Sequence, residues 1–269
     1  MSRRSVKSNN VLILTDLEGI SGVCSIAAIN DEEAYRDACM KLTADTNVAI
    51  DALISAGAET VYVNDGHGSG NNFFKDRLDP RAKQVPLSDF PSVIRDVSCV
   101  VLVGMHAMSG TLNAFLDHTQ SSMRIHHYFY NGERIGELSQ IGVYSGFFGV
   151  PCVAVTGDET VCREACRVFP GISTATVKFA KGRNSADCIP EAEAHDRIRH
   201  AVIDGFCRRE EIKPLSVSLP LTVDVEFHRT DYADEAVAKH PELERIDGYT
   251  VRSVKENIES YFDVLIMWG

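Results

Sequence analysis

With 269 residues, 44% of them hydrophobic and 24% charged, the chain has the composition of a soluble globular protein with room for one large domain, or a large and a small one. A net charge of −11 argues against nucleic acid and against an anionic membrane surface, since both call for clustered Lys and Arg. No apolar run reaches the length of a membrane span.

Residues 1–10 are basic and polar without an apolar h-region, so they read as a frayed tail rather than a secretory signal. The eight cysteines are accordingly expected as reduced thiols of a cytoplasmic protein. Val11-Leu12-Ile13-Leu14 then reads as a buried strand running into Thr15-Asp16-Leu17-Glu18-Gly19. Residues two apart in extended backbone share a face, so Asp16 and Glu18 are placed to point into one space. Like charges that close raise one pKa unless a cation sits between them, and a divalent metal resolves the conflict. A polar turn with solvated carboxylates is the plain alternative, and this stretch alone does not choose between them.

After a loop over residues 19–30, a helix is expected over residues 31–56, capped by Asp31, with Glu32 and Glu33 in its first turn and Gly57 closing it. The strand over residues 60–63 ends in Asn64-Asp65-Gly66-His67-Gly68-Ser69-Gly70, a Gly-rich stretch without the lysine of a phosphate loop. Residues 71–90 read as irregular. Cys99-Val100-Val101-Leu102-Val103-Gly104-Met105-His106 repeats the design of an apolar strand, a glycine and a histidine at the exit. A polar loop carries His118. A strand over residues 125–130 meets the turn signal Asn131-Gly132, and Glu137 opens a helix through residue 147. A strand over residues 150–155 ends in Thr156-Gly157-Asp158-Glu159 and leads to a helix over residues 159–168. There Cys162 and Cys166, four apart, read as core thiols rather than ligands. A strand over residues 174–178 and a helix over residues 191–208 follow.

Alternating strands and helices indicate βαβ units: a three-layer α/β/α fold with a mostly parallel sheet. The expected organisation is a tail at residues 1–10, an α/β domain at 11–212 and, beyond Lys213-Pro214, a smaller α+β unit at 213–269 built on residues 217–227 and 264–268. Residues 71–130 are candidates to pack with that second unit. In such sheets the site lies at the carboxyl ends of the strands, where Asp16, Glu18, His67 and His106 all fall. Together with Glu137 they make five oxygen and imidazole donors, too many for a single catalytic zinc but suited to two metals sharing a carboxylate.

Plainer roles are expected elsewhere. His126 and His127, adjacent in a strand, should point to opposite faces as solvated residues. His195, His200, His228 and His240 read as surface residues. Asp158 and Glu159 read as helix N-terminal groups in preference to partners of the site. Asn64 and Asp65 either orient His67 or form an Asx-type turn. Lys178 at its strand end could hold a substrate carboxylate or an oxyanion, or balance local acids; Arg183 and Ser185 are weaker versions of the same idea.

The blocks Thr15-Asp16-Leu17-Glu18-Gly19-Ile20-Ser21-Gly22, Val63-Asn64-Asp65-Gly66-His67, Gly104-Met105-His106-Ala107, Asp117-His118-Thr119 and Gly136-Glu137-Leu138 together resemble the D-aminopeptidase family of zinc peptidases, the DppA-like or M55 group. The resemblance runs from about Leu12 through residue 178 and more weakly to the C-terminus. It implies a dinuclear zinc aminopeptidase that removes N-terminal residues, often of D configuration, from short peptides. Asp16 would bridge two zincs, Glu18 and His67 would complete one site, and His106 and Glu137 the other. His118 would be catalytic, in acid–base work rather than as nucleophile, because zinc already supplies a nucleophile by lowering the pKa of water towards about 7. A ring-like homo-oligomer such as a decamer, with enclosed active sites, is also implied. The rivals are a non-catalytic peptide-binding component of a dipeptide transport system, which has no use for five convergent donors, and a two-metal phosphoesterase, which uses similar ligands.

Overall fold

In the computed structural model, which describes residues 8–266, the chain runs β1 (Val11–Thr15), α1 (Ala27–Asn30), α2 (Glu32–Ser55), β2 (Val61–Asp65), β3 (Ala82–Gln84), α3 (Phe90–Asp96) and β4 (Cys99–Met105). It continues through β5 (Ile125–Tyr130), β6 (Glu133–Ile135), α4 (Glu137–Phe147), β7 (Cys152–Asp158), α5 (Glu159–Val168), β8 (Ser173–Gly182), β9 (Ser185–Cys188) and α6 (Glu191–Cys207). It closes with β10 (Leu221–Phe227), α7 (Thr230–Lys239), β11 (Glu244–Arg245) and β12 (Thr250–Lys255). Residues 1–7 of the expected tail and residues 267–268 of the closing segment of the expected α+β unit lie outside the described residues.

β1 is apolar throughout because it is buried on both faces. Val11 and Ile13 join an apolar cluster with α2 and α6, while Leu12 and Leu14 join another with α3, α4 and α5. The main sheet has the order β3-β2-β1-β4-β7-β8-β9, parallel except for the β8–β9 hairpin, so the fold is the expected α/β/α arrangement. The chain leaves β1 towards β2 and β3 on one side, then returns to place β4 on the other. The ends of β1 and β4 therefore flank the point where strand order reverses, the usual place for a site in an open parallel sheet.

A second sheet, β11-β12-β10-β5-β6, is antiparallel. Its inner face, including Val223, Val225 and Tyr128, belongs to the same cluster as Leu12 and Leu14. The Asn131-Gly132 turn between β5 and β6 has φ values of 49° and 85°, the left-handed pair that a tight hairpin needs.

Four expectations are corrected. Residues 71–90 are not wholly irregular: β3 pairs in parallel with β2, and a 3-10 turn at Leu87–Asp89 leads into α3. Cys24 and Cys188 form a disulfide, so not every cysteine is a free thiol. The bond joins the loop after β1 to β9, where Ala186 N–H also donates to the Cys24 carbonyl at 2.9 Å. His195 is no plain surface residue, because its Nε2 lies 3.1 Å from the buried Asp45 carboxylate, which also accepts from Ser21 Oγ and the Ser21 amide. Finally, His126 and His127 do not point to opposite faces. The register jumps from Glu226↔His127 to Phe227↔Ile125, making His126 the extra residue of a β-bulge. A bulge sets two residues of one strand against one of its partner, and the two rings stack on the same side with centroids 3.9 Å apart.

Candidate metal centre

Asp16, His67 and His106 each follow the carboxyl end of one of three neighbouring parallel strands, β1, β2 and β4. Asp16 presents one oxygen to each side: Oδ1 is 3.0 Å from His67 Nδ1 and Oδ2 is 3.2 Å from His106 Nε2. Glu18 Oε2 lies 3.3 Å from His67 Nδ1, and Glu137 Oε1 lies 3.4 Å from His106 Nε2. His118 stacks on His106, with ring centroids 3.9 Å apart and planes 11° from parallel. Its Nε2 stands 4.0 Å from Glu18 and 3.9 Å from Glu137, beyond hydrogen-bond range of either. The structure thus brings together all six residues singled out in the sequence.

The backbone that makes this possible rests on two glycines. Gly19 N–H donates to Gly104 O at 2.8 Å, which locks the exit of β1 onto that of β4. Gly104 has φ of +76°, and a Cβ on it would sit 2.2 Å from the Asp16 carbonyl. Beyond these crossings each donor is held by a neighbour. Asp65 accepts from the His67 amide, the Asn72 amide and Asn72 Nδ2, so it both closes an Asx-type turn and fixes the loop that carries His67. Glu137 stands in the first turn of α4, where the helix dipole favours a carboxylate, and accepts from the Gln120 amide at 2.7 Å. Nδ1–H of His106 donates to Ala107 O, and that of His118 to Leu116 O, which frees each Nε2 for the centre. Asp158 caps α5 as expected and also accepts from the Phe115 amide, and Glu164 accepts from the Met108 amide, so the loop between His106 and His118 is tied down at both ends.

Lys178 does not face a substrate. It is fully buried and donates to the carbonyls of Glu18 and Val23 at 2.7 and 2.6 Å, holding the loop that carries Glu18 from below. Arg183 and Ser185 are exposed on the β8–β9 hairpin, and Arg183 Nε lies 3.6 Å from Asp117. Cys162 is a buried core thiol of α5 as expected, but Cys166 is exposed, so the expectation fails for the second because it lies on the solvent side of the helix. Sequence reasoning missed Asn72, Gln120, Glu164 and Asp45. Gln120 has a left-handed φ of 64°, which a glutamine does not advertise, and the others act through bonds to residues far away in the chain.

Asp16, Glu18 and His106 are 7, 4 and 3% exposed, so the centre is largely withdrawn from water. Burial pushes the Glu18 carboxyl up, yet the His67 hydrogen bond and the charges of His67, His106 and His118 outweigh it and hold Glu18 well below the usual range. Glu137 follows the same balance, with His106 foremost against burial, and is held down at about 2. Burial pulls His67 down, but hydrogen bonds and charge from Asp16 and Glu18 raise it to about 11. His106 is raised well above its ordinary value by Glu137 and Asp16 against the same burial. Even so, buried Glu18 Oε2 and His106 Nε2 meet these neighbours only as ion-pair contacts at 3.2 to 3.4 Å, and neither has a partner in good hydrogen-bond geometry among the described residues. Buried polar atoms seldom go unpartnered. Orphaned atoms in a nest of carboxylate and imidazole donors fit a borderline divalent metal. Donor atoms of Asp16, Glu18 and His106, and of His106, His118 and Glu137, lie within 4.8 Å of one another.

Such a donor set at the switch point of a parallel sheet defines a metal-dependent hydrolase. A profile of the D-aminopeptidase family, Peptidase M55, matches residues 10–267, and the chain belongs to that family of peptidases. It is 25% identical over 260 residues to the D-aminopeptidase of Bacillus subtilis strain 168, covering 94% of each chain. Its fold superposes with a TM-score of 0.87, at 24% identity and over 95% of this chain and 94% of the other, on the structure described as Zn-dependent D-aminopeptidase DppA from Bacillus subtilis, a self-compartmentalizing protease. No helix among the described residues is long and apolar enough to cross a membrane.

Proposed function

We propose that the chain is a dinuclear zinc aminopeptidase that hydrolyses the N-terminal residue from short peptides, D-amino-acid peptides among them. One observation carries the reading: Asp16 faces His67 with one oxygen and His106 with the other, dividing the donors into two sets around a shared carboxylate. Glu18 and His67 complete one set, His106 and Glu137 the other. Two zinc ions held there would supply a water nucleophile at neutral pH and polarise the scissile carbonyl. His118, whose Nδ1–H is fixed on Leu116 O, keeps its Nε2 edge free to pass a proton to the departing amine. Coordination of a free substrate amine at the metal pair would restrict cleavage to the peptide's first residue. Family membership favours this over the peptide-binding transport component and the phosphoesterase.

The test is an assay of the zinc-loaded protein against D-alanyl peptides, L-alanyl peptides and a generic phosphoester. Release of the N-terminal residue from a D-alanyl peptide is the expected result, and turnover of the phosphoester alone would overturn the reading. In the same assay His118→Ala should lower kcat by roughly 10²- to 10⁴-fold with the metal content unchanged, because a proton-transfer group is lost but no ligand is.

The charge balance predicts how metal uptake responds to pH. In the metal-free protein the raised pKa of His67 gives stability fully present below 6.5 and lost as pH rises through about 11, so at pH 7 the ring carries its proton. His106 is raised in the same sense, whereas Glu18 and Glu137 are already ionised. Only neutral imidazole binds metal, so zinc uptake at pH 7 should release about two protons and weaken about 100-fold per unit fall in pH. Calorimetry in two buffers of different ionisation enthalpy counts those protons.

The same reading includes assembly into a ring-like homo-oligomer with enclosed sites, supported by the self-compartmentalizing description of the B. subtilis protease. It also includes a cytoplasmic location. The buried thiols Cys39, Cys152 and Cys162 support that location, and the Cys24–Cys188 bond runs against it.

A further inference from the structure

The bulge in β5 builds a second cluster of metal-ligating side chains on the outer face of the antiparallel sheet, sharing no residue with the centre described above. Because His126 is the extra residue, it joins His127 on the face opposite the buried Tyr128, and both stand against Glu226 of β10. The imidazoles stack at 3.9 Å with planes 24° apart. His126 Nδ1 lies 3.5 Å from Glu226 Oε2. One donor atom each from His126, His127 and Glu226 falls within 4.8 Å of the others. In a tetrahedral zinc site with bonds of about 2.1 Å, donors sit about 3.4 Å apart, so small side-chain rotations close the set.

Two further features set this cluster apart from three solvated side chains. His127 Nδ1 is shielded from solvent and has no hydrogen-bond partner among the described residues, an orphan that a metal would satisfy. The His127 ring is also held edge-on by Phe129, at 6.0 Å and 88°, so one donor is already oriented. His228, just past the end of β10, places its ring centroid 5.2 Å from that of His126 and offers a third imidazole as a fourth donor. Arg134 of β6 is the cation nearby, since a Cβ on Gly110 would touch both His127 Cε1 and Arg134 Nη1. The Glu226 carboxylate offsets that charge and brings the anionic oxygen that imidazoles alone lack.

We propose that His126, His127 and Glu226 form a binding site for a divalent transition-metal ion, zinc foremost, independent of the peptidase centre. Two imidazoles and a carboxylate leave a coordination position open on an exposed face, to be filled by water or His228.

The experiment is a zinc titration of the metal-free full-length protein against a chromogenic chelator, with the ions per chain counted by mass spectrometry of the metal. The wild-type chain should take up one ion more than the His126→Ala/His127→Ala double variant. Glu226→Gln, which leaves the bulge intact and serves if the double variant fails to fold, should weaken that extra ion by at least about 10- to 100-fold. Hydrolysis by either variant should stay at the wild-type level. Equal zinc uptake and affinity in wild type and variants would overturn the proposal. Its fate is separable from that of the peptidase reading. A wild-type chain lacking the two central ions but still one ion above the variant leaves this site standing, and two ions in every form removes it while leaving the peptidase centre intact.

Discussion

His106→Ala brings peptide hydrolysis down by roughly 10³-fold or more while the protein stays folded. His106 is the residue on which both donor groups converge, its Nε2 facing Asp16 at 3.2 Å and Glu137 at 3.4 Å. Its removal takes a ligand from one half of the centre and frees the shared Asp16 carboxylate to turn. Losing about 4 kcal/mol of stabilisation at the reacting carbonyl corresponds to about 10³ in rate. The fold survives because the ring's contacts are with His118 and the donor carboxylates of Asp16 and Glu137, while both apolar clusters are built from other side chains. Steady-state assays on zinc-saturated protein, alongside circular dichroism, check both halves. Wild-type activity in a fully folded His106→Ala protein would remove this residue from the centre.

Gly19→Ala should be a severely damaging small change to stability. A Cβ there would lie 2.0 Å from the Met105 carbonyl oxygen and 2.5 Å from the Gly104 carbonyl carbon, both backbone atoms that cannot rotate away. The two strand exits must part, which breaks the Gly19 N–H to Gly104 O bond and separates Asp16 from His106. Overpacking against backbone is expected to cost about 3 kcal/mol or more, which in a chain of this size lowers Tm by about 6–12 °C. Activity should fall with it, because the same shift opens the shared carboxylate. Gly182→Ala, whose Cβ would meet nothing within 4 Å, is the control and should stay within about 0.5 kcal/mol of wild type. Thermal melts of the two variants side by side decide the matter.

The centre was legible in the sequence because parallel strands deliver their last residues to one edge. Apolar runs ending in Asp16, His67 and His106 announce both the sheet and the site. Glu137 was legible as the opening of a helix, but its pairing with His106 rests on a long connection through the second sheet. The groups that hold the donors were not legible, because each acts across the chain: Asn72 on Asp65, Gln120 on Glu137, and Lys178 on the Glu18 carbonyl from 160 residues away. Lys178 misled because a lysine at a strand end looks available to substrate, and only the fold buries it. The stacking of His126 on His127 was hidden for a related reason. Alternation along a strand is a local rule, and a bulge is set by the partner strand.

The most direct test of the shared-carboxylate account is anomalous diffraction at the zinc absorption edge from crystals of the zinc-loaded protein. Two peaks are predicted, one touching Asp16, Glu18 and His67 and the other touching Asp16, His106 and Glu137. A single peak that Asp16 does not contact, or no peak among these residues, would contradict it.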